Sequence, residues 1–323
     1  MNCSSSNSRH FPEADVLKGI LIILVVAGHF LYPFRRSGEV TRALFFGIYS
    51  FHMPAFVFVS GLLAGNGAQR AKGFRWDKVR SLLLYYIFYK LLLYPVECLT
   101  YGPAPFRLLT ESGAPWYLLS LAGWYCLLPL FSAVCRHFPG RKGKRLIVAG
   151  ALILGLAAGY ISFSEYLLCW QRTVAFLPFF TAGWCLGAEK LFGAEGLCLA
   201  MPHRNRQLLI GTALLLIFAF MLSALCVPDG IMHVLYGMNY EVFRRDLPEA
   251  FFLPCAWLLR FLWYLGAMVI TAGLCTLVST FVHNSHASEQ SRLQKLFTFC
   301  GRHSLVIYIL HRPIRDLWMY FFF

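Results

Sequence analysis

Four ionisable side chains stand inside long apolar stretches near the start of the chain. Asp15, Lys18 and His29 lie in the first stretch, and His52 lies in the second. Placing a charge or a histidine in hydrocarbon is costly unless the side chain faces a cavity or a partner, so such residues are candidates for a functional site. The two histidines are candidates for acid–base chemistry, because a neutral imidazole is a suitable general base for a hydroxyl nucleophile.

The spacing in the first stretch places Lys18 and His29 on one face of a helix. His29 follows Lys18 by eleven positions, and at about 100° and ~1.5 Å per residue the two share one stripe and lie ~16 Å apart along the axis. Lys18 is therefore expected at the cytoplasmic mouth of the helix, and His29 is expected deep in the membrane, nearer the outer face.

His52 is expected at nearly the same depth as His29. Because the second helix runs in the opposite direction, counting from its outer end places His52 ~12 Å below the outer surface, close to the depth of His29 in a hydrocarbon core of ~30 Å. Pro54 follows in the sequence, and a proline inside a helix frees a backbone carbonyl and helps to open a cavity. The two histidines form a predicted polar centre between sequential helices.

Each candidate also has a purely structural interpretation, which the sequence leaves open. A single buried histidine often packs with its hydrogen bonds satisfied. Lys18 can extend its ammonium group to the interface, and Asp15 is a favourable charge at a helix N-terminus. His311, with Arg315 on the same helical face, is either a third cavity histidine or part of an interface cluster.

Trp116 and Arg172 stand near the ends of apolar blocks. Aromatic residues are enriched at both membrane interfaces, where they act as anchors. A basic residue at the same level can be a simple interface charge. Position alone therefore favours anchoring for both residues.

The composition excludes a water-soluble globule. Of the 323 residues, 58% are hydrophobic and 14% are charged, and the mean hydropathy is +0.59, whereas soluble domains carry about 25% charged residues. The apolar residues form blocks close to the ~20 residues that cross a bilayer. The approximate spans are 16–34, 44–66, 81–97, 115–134, 146–162, 170–190, 208–227, 253–281 and 297–321.

The sequence therefore predicts an all-α fold, a polytopic integral membrane helical bundle with about nine to ten transmembrane helices. The number of helices rises to ten if block 253–281 contains an extra crossing. This block is too long for one perpendicular span and contains Arg260. It is tilted, kinked, or a short re-entrant piece followed by a helix. Since the spans and their loops account for the chain, we expect a single membrane-embedded domain over residues 1–323, with no separate soluble domain.

Basic loops between the apolar blocks carry the formal net charge of +14. This placement follows the positive-inside rule and argues against nucleic-acid binding, so the expected partner is a lipid bilayer. Loops 67–80 and 135–145 are strongly basic and are expected in the cytoplasm with the N-terminus. Loop 35–43 is placed outside although it holds three arginines. Loops 98–114 and 228–252 are also placed outside, as candidates for a lid or an acceptor site.

A buried histidine above a basic cytoplasmic mouth suits the transfer of an activated acyl group. Basic side chains at the mouth bind the phosphates of an anionic donor, whose acyl end reaches the base. The chain has no H-E-x-x-H, G-x-S-x-G or Walker A motif, so metalloprotease, serine hydrolase and ATPase functions have no support. No metal site is expected, because the 11 cysteines form no C-x-x-C pair and no zinc-site spacing.

These residues resemble the acyltransferase type 3 family of integral membrane O-acyltransferases, and within it a branch that is similar to fucose 4-O-acetylase. The resemblance begins with a basic residue, ten residues and a histidine, which are Lys18 to His29 here. It continues in family order through nearly the whole chain. The matching stretches are Asp15–Ile20, Val25–His29, Phe51–Pro54, Val59–Gly61, Lys78–Arg80, Trp116–Leu119, Arg172–Phe180, Gly301–Leu305 and Tyr308–His311.

The resemblance implies an enzyme of the bacterial plasma membrane. It would take an acetyl group from cytosolic acetyl-CoA and pass it to a hydroxyl of a carbohydrate or a lipid-linked sugar. His29 is then the catalytic base, His52 is a second catalytic residue, and Lys18, Asp15 and Arg80 bind the donor. The residues implied at the acceptor are Arg172, Trp116 and His311.

Two other functions remain open from the sequence. A membrane carrier or flippase for an envelope precursor would use Asp15, Lys18 and His29 as a polar relay, and it would work without CoA. A binding or sensory membrane domain would bind CoA without turnover. Transfer that depends on both CoA and His29 separates the enzyme from these alternatives.

Overall fold

The computed structural model describes residues 10–70, 74–110, 113–161, 166–227, 235, 237–241, 249–285 and 291–322. The described chain is built from helices, and an isolated β-bridge joins Thr110 to Leu167. The helices, numbered here in chain order, are α1 (Pro12–Leu31), α2 (Glu39–Arg70), α3 (Trp76–Tyr101), α4 (Trp116–His137), α5 (Arg141–Ala157), α6 (Trp170–Leu186), α7 (Ala188–Phe192), α8 (Leu197–Ala200), α9 (His203–Ser223), α10 (Glu249–Ser285), α11 (Arg292–Arg302) and α12 (Ser304–Phe322). Short 3₁₀ turns follow α1 at Tyr32–Phe34 and α5 at Ala158–Tyr160.

Within the described residues, seven helices are long and apolar enough to cross a membrane, namely α1 to α5, α9 and α10. The remaining predicted spans also fall on helices. α6 has 17 residues, and α12 has 19 residues but carries Arg312, Arg315 and Asp316. The prediction of an all-α polytopic helical protein is confirmed.

α10 settles the form of the long block 253–281. It is one helix of 37 residues with Pro254 near its start, so the block is not a re-entrant piece followed by a separate helix. At ~1.5 Å per residue the helix is ~55 Å long, much longer than a hydrocarbon core of ~30 Å. α10 must therefore tilt in the bilayer or extend beyond it.

Glycines let α2 and α6 pack with their backbones in contact. A Cβ atom on Gly61 would overlap the backbone carbonyl of Phe180, and one on Gly65 would overlap that of Trp184. Gly183 on α6 approaches the backbone of α2 in the same way. Small residues four apart on one helix allow this close approach in membranes. The backbones of α2 and α6 thus pack directly against each other.

Replacing Gly61 by leucine is expected to destabilise the protein by more than the ~1–3 kcal/mol typical of overpacking, because two backbones must separate. Gly150→Leu is the matched control, since a Cβ atom at Gly150 meets nothing within 4 Å. Thermal unfolding of the detergent-solubilised proteins measures both effects. Equal melting temperatures for the two variants would contradict this packing arrangement.

Pro54 frees a backbone carbonyl that α10 then uses. Because proline has no N–H, it cannot bond to the carbonyl four residues earlier, which belongs to Ser50. That carbonyl instead accepts a hydrogen bond of 2.7 Å from Nε1 of Trp263, a buried residue of α10. Trp263 of α10 thus bonds to α2 at the carbonyl that Pro54 leaves free. This carbonyl lies two residues before His52.

Two of the three arginines in loop 35–43 bond to residues at the ends of helices. Nε of Arg42 donates to the carbonyl of Ala224 at 2.7 Å, just beyond the C-terminus of α9, where a cation is favourable. The Arg35 guanidinium lies 4.1 Å from the centre of the Tyr32 ring and donates to the Tyr32 carbonyl at 2.8 Å. These partners give both arginines a structural reason to be in a loop that is placed outside.

Candidate active site

A large cavity lies at one end of the bundle. Its volume is about 1120 Å³, which reaches the upper end of the ~300–1,000 Å³ range of small-molecule sites. Side chains of α1, α2, α3, α4, α6 and α12 line it, together with the segment that joins α3 to α4.

His29 and His52 both line this cavity. Tyr49 connects them, with its ring centre 6.4 Å from that of His29 and 4.7 Å from that of His52. Nδ1 of His52 is 2.7 Å from the carbonyl of Ile48. A carbonyl can only accept a hydrogen bond, so Nδ1 of His52 carries the proton and Nε2 is left as an acceptor. The structure brings the two predicted histidines to one site.

His311 contacts the ring of His29. The two ring centres are 4.6 Å apart, with the planes inclined at 58°. The side chain of His311 is buried, and its Nδ1 lies 2.6 Å from the carbonyl of Tyr308. The residue is not among those that line the cavity. It therefore stands next to the candidate base, whereas the sequence analysis placed it at the acceptor.

Trp116 and Arg172 line the cavity together. The Arg172 guanidinium carbon lies 5.7 Å from the centre of the Trp116 ring, within range of a cation–π interaction. Thr173 fixes the start of α6 against α4, because its carbonyl accepts a bond of 2.8 Å from Nε1 of Trp124 and its hydroxyl bonds to that of Ser120 at 2.6 Å. Trp116 and Arg172 are thus part of the cavity wall, in addition to any role as interface anchors.

A local feature of the backbone sets the direction in which α6 leaves the cavity. Leu168 and Cys169 both have left-handed backbone angles, with φ of 51° and 53°. Residues other than glycine adopt this region only at a cost of ~1–3 kcal/mol, which surrounding contacts must offset. The N–H of Leu168 donates to the Leu109 carbonyl at 2.7 Å. This turn brings the segment between α3 and α4 and the start of α6 to the same side of the cavity.

A charged network adjoins His29 at the cavity wall. Arg312 bonds to Asp316 at 3.0 Å and to Glu97 of α3 at 3.4 Å, and Arg315 also pairs with Asp316. Nη1 of Arg315 donates to the backbone carbonyl of His29 at 3.4 Å. The network therefore holds the end of α1 against α12 and α3.

The sequence analysis missed Glu97 and Asp316 as members of this site. Asp316 follows Arg312 by four residues, a spacing that pairs side chains on a helix, so this part was readable from the sequence. Glu97 is more than two hundred residues away in the chain, and no local pattern points to it. Only the packing of α3 against α12 brings the three charges together.

The predicted donor residues lie away from the cavity. Nζ of Lys18 pairs with Asp15 at 2.8 Å, and Asp15 also bonds to His10 at 2.7 Å and to Arg302 at 3.4 Å. None of these four residues lines the cavity, and neither does Arg80, which is exposed near the start of α3. Lys18 and His29 thus mark two ends of α1, as their spacing predicts.

Arg260 is fully buried in α10 and acts as a tether for a segment of the cavity wall. Its guanidinium lies 4.4 Å from the centre of the Tyr240 ring and donates to the carbonyls of Gly155 and Met238. Tyr240 in turn donates to the Leu156 carbonyl at 2.9 Å. Burial raises the pKa of Tyr240 to about 12, so its hydroxyl stays a donor at physiological pH. No partner or role for Arg260 was predicted from the sequence.

Both loops that were predicted to form a lid or an acceptor site reach the cavity. Loop 98–114 contributes residues including Arg107 and Thr110, and loop 228–252 contributes Leu235 and Met238. Residues 111–112, 228–234, 236 and 242–248, which include much of the second loop, lie outside the described residues. Where they are described, these loops contribute residues to the cavity wall.

Metal-ligating side chains do not cluster in the part of the chain that the structure describes. No group of three or more His, Cys, Asp or Glu residues there could hold a metal ion.

Two curated proteins are similar to part of the chain, and both are named Nodulation protein NolL. The one from Sinorhizobium fredii is 29% identical over 167 residues, which cover 48% of this chain and 44% of that protein. The one from Mesorhizobium japonicum is 33% identical over 102 residues, which cover 30% of this chain and 27% of that protein. The matched part of this chain thus spans less than half the length of either relative. No solved structure matches the chain significantly.

A family model gives the broadest match. The model described as "Acyltransferase domain" matches residues 11–323, which is nearly the whole chain. The match includes all the described helices and every residue of the cavity wall. The chain belongs to this family of membrane acyltransferases, the type 3 family that its first two apolar stretches resemble.

Proposed function

We propose that this protein is an O-acetyltransferase that moves the acetyl group of acetyl-CoA to a hydroxyl of a carbohydrate or lipid-linked sugar. The observation that carries the proposal is the position of His29, in the wall of a cavity of about 1120 Å³ and beside His311. Membership of the acyltransferase family supports the reaction type. The acetyl donor, the sugar acceptor and the similarity to fucose 4-O-acetylase are parts of the proposal.

The reaction follows from a general base next to the two substrates. A ring nitrogen of His29 takes the proton of the acceptor hydroxyl as its oxygen attacks the thioester carbonyl carbon. The carbon–sulfur bond then breaks, and the proton on His29 passes to the departing thiolate. The products are the O-acetyl ester and CoA with a free thiol. Nε2 of His52, which is left as an acceptor by the Ile48 bond, is suited to accept a hydrogen bond from a neighbouring hydroxyl of the acceptor and so to orient it.

The acceptor is proposed to occupy the part of the cavity that faces the outer loops. Trp116, Arg172 and Arg107 line the cavity with several tyrosines, and this mixture of apolar rings and hydrogen-bond donors suits a polyhydroxylated molecule. The donor is proposed to approach from the opposite end of α1, where Lys18 and Arg302 are basic. This arrangement uses the orientation indicated by loop charge, with the N-terminus in the cytoplasm.

Replacing Lys18 by methionine is expected to raise the KM for acetyl-CoA about tenfold, because a hydrogen bond to a charged group contributes ~1.5–3 kcal/mol and this lysine is partly exposed. The acceptor KM and kcat should stay nearly constant. Steady-state kinetics of the reconstituted protein measures these constants. Lys295→Met is the matched control, since Lys295 is exposed on α11, and an equal rise in both variants would remove Lys18 from the donor site.

The function itself is tested with purified protein in proteoliposomes. Acetyl-CoA is supplied with glycosides that have free hydroxyls, and release of the CoA thiol is followed. The matched control is the same glycosides with every hydroxyl methylated. The proposal requires thiol release that depends on the free hydroxyls and yields an acetylated sugar. Thiol release that is equal with both sugars would contradict it, because no hydroxyl would then be the acceptor.

The same proteoliposomes distinguish the carrier alternative. A carrier or flippase would move a labelled sugar across the membrane without CoA, and the sugar would remain unmodified. The proposed enzyme would acetylate the sugar, and movement of unmodified sugar would not depend on the protein. Mass spectrometry of the sugar inside and outside the proteoliposomes measures both its acetylation and its movement across the membrane.

A further inference from the structure

One ring nitrogen of His311 makes a hydrogen bond, and the other makes none within the described residues. The His311 side chain is 3% exposed, and Nδ1 lies 2.6 Å from the Tyr308 carbonyl. Nε2 is buried and has no hydrogen-bond partner among the residues that the structure describes. A buried polar atom without a partner costs ~1–3 kcal/mol, so such an atom beside a catalytic candidate calls for an explanation.

The bond to Tyr308 fixes which nitrogen of His311 carries the proton. Because a carbonyl only accepts, Nδ1 of neutral His311 must be the donor, and Nε2 therefore keeps its lone pair. Nδ1 points back to the preceding turn of α12, so Nε2 lies on the side of the ring away from that turn. The His29 ring packs against the His311 ring, with its centre 4.6 Å away. A ring that carries an acceptor of fixed tautomer thus lies against the candidate base.

We propose that His311 is a positioning residue that accepts a hydrogen bond from the N–H of His29 during the reaction. The bond selects the tautomer of His29 whose other nitrogen is free to take the acceptor proton, and it stabilises the imidazolium that results. This inference rests on the proposed function. A group that orients the base in this way completes a nucleophile–base–orienter arrangement, with a neutral imidazole in the third position.

The neighbouring carboxylate is engaged elsewhere. Asp316 accepts from Arg312 at 3.0 Å, from Arg315 and from the Tyr101 hydroxyl at 3.2 Å. Arg315 reaches the backbone carbonyl of His29 at 3.4 Å. The charged groups of α12 and α3 around His29 thus bind one another and the main chain, whereas His311 has an acceptor nitrogen in a ring that packs against that of His29.

Kinetics of two variants tests the proposal. His311→Gln keeps an acceptor oxygen on a side chain of similar length, whereas His311→Leu keeps the volume and removes the acceptor. We expect His311→Leu to lose about 10²-fold in kcat, with the KM for acetyl-CoA unchanged, and His311→Gln to recover most of that loss. A merely structural role would favour leucine in this buried site. Equal losses in the two variants, or a fully active His311→Leu, would overturn the proposal.

A second measurement does not depend on turnover. Diethyl pyrocarbonate modifies unprotonated histidines, and peptide mass spectrometry gives the rate at each one. We expect the rate at His29 to fall several-fold in His311→Leu and to stay near the wild-type rate in His311→Gln, with exposed His203 as the internal reference. An unchanged rate at His29 in His311→Leu, or no reaction at His29 in the wild type, would overturn the proposal. Failure of sugar acetylation alone would instead contradict the proposed function.

Discussion

His29→Gln is expected to lower kcat for acetyl transfer by about 10³-fold, because it removes the general base while keeping a side chain of similar size and polarity; such bases contribute ~10²–10⁴-fold. The KM for acetyl-CoA should change little, since the residues proposed to bind the donor lie at the other end of α1. The measurement is the initial rate of thiol release in proteoliposomes with matched amounts of inserted protein.

The control for this variant is His303→Gln. His303 is an exposed histidine between α11 and α12, so its replacement should leave kcat nearly unchanged. If His29→Gln retained wild-type kcat, the cavity could not be using His29 as its base. The same loss in both variants would indicate damage to insertion or folding in place of a catalytic effect.

Asp316→Asn should be the most destabilising change in the charged network. The Asp316 side chain is fully buried and pairs with both Arg312 and Arg315, and breaking a buried pair by removing one partner costs ~3–5 kcal/mol, because a charge is left without compensation. A large fall in the melting temperature of the detergent-solubilised protein is expected. Activity should fall with it, because Arg315 also bonds to the His29 carbonyl.

Asp77→Asn is the matched control for this change. Asp77 pairs with Arg75 at 3.6 Å, but its side chain is 66% exposed, and exposed pairs contribute ~0–1 kcal/mol. Its melting temperature should stay close to that of the wild type. A similar shift for the two variants would mean that the buried network does not hold α1, α3 and α12 together.

Depth and spacing along apolar helices were enough to predict the relative positions of Lys18, His29 and His52 from the sequence. Counting residues placed Lys18 and His29 at opposite ends of α1 and brought His52 to the level of His29, and both histidines line one cavity. The three-residue spacing of Asp15 and Lys18 also corresponds to an ion pair of 2.8 Å. These features follow from helix geometry alone, because they need only rise, rotation and the direction of each span.

Contacts between distant parts of the chain were beyond this reasoning. The bond between Glu97 and Arg312 joins α3 to α12, and Arg260 of α10 reaches the segment that contains Met238. No periodicity predicts which helices become neighbours. The sequence showed that a charge in a span needs a partner, but identifying the partner required the packing.

Span boundaries were predictable only where composition changed sharply. α6 has 17 residues, shorter than the block 170–190, because Gly187, with φ of 75°, ends the helix and α7 begins immediately after it. At the other end of the chain, block 297–321 is divided between α11 and α12 by a break at His303. Apolar residues continue across both breaks, so hydropathy alone could not place them.

The most direct test of the central claim is transfer of labelled acetyl from acetyl-CoA into the glycan and lipid-linked sugar fraction of inside-out membrane vesicles. Wild type and His29→Ala are compared at equal levels of inserted protein. The account predicts that the wild-type vesicles incorporate label into an ester and that His29→Ala vesicles do not. Equal incorporation by the two proteins would contradict it, because acetyl transfer would then proceed without the histidine in the cavity wall.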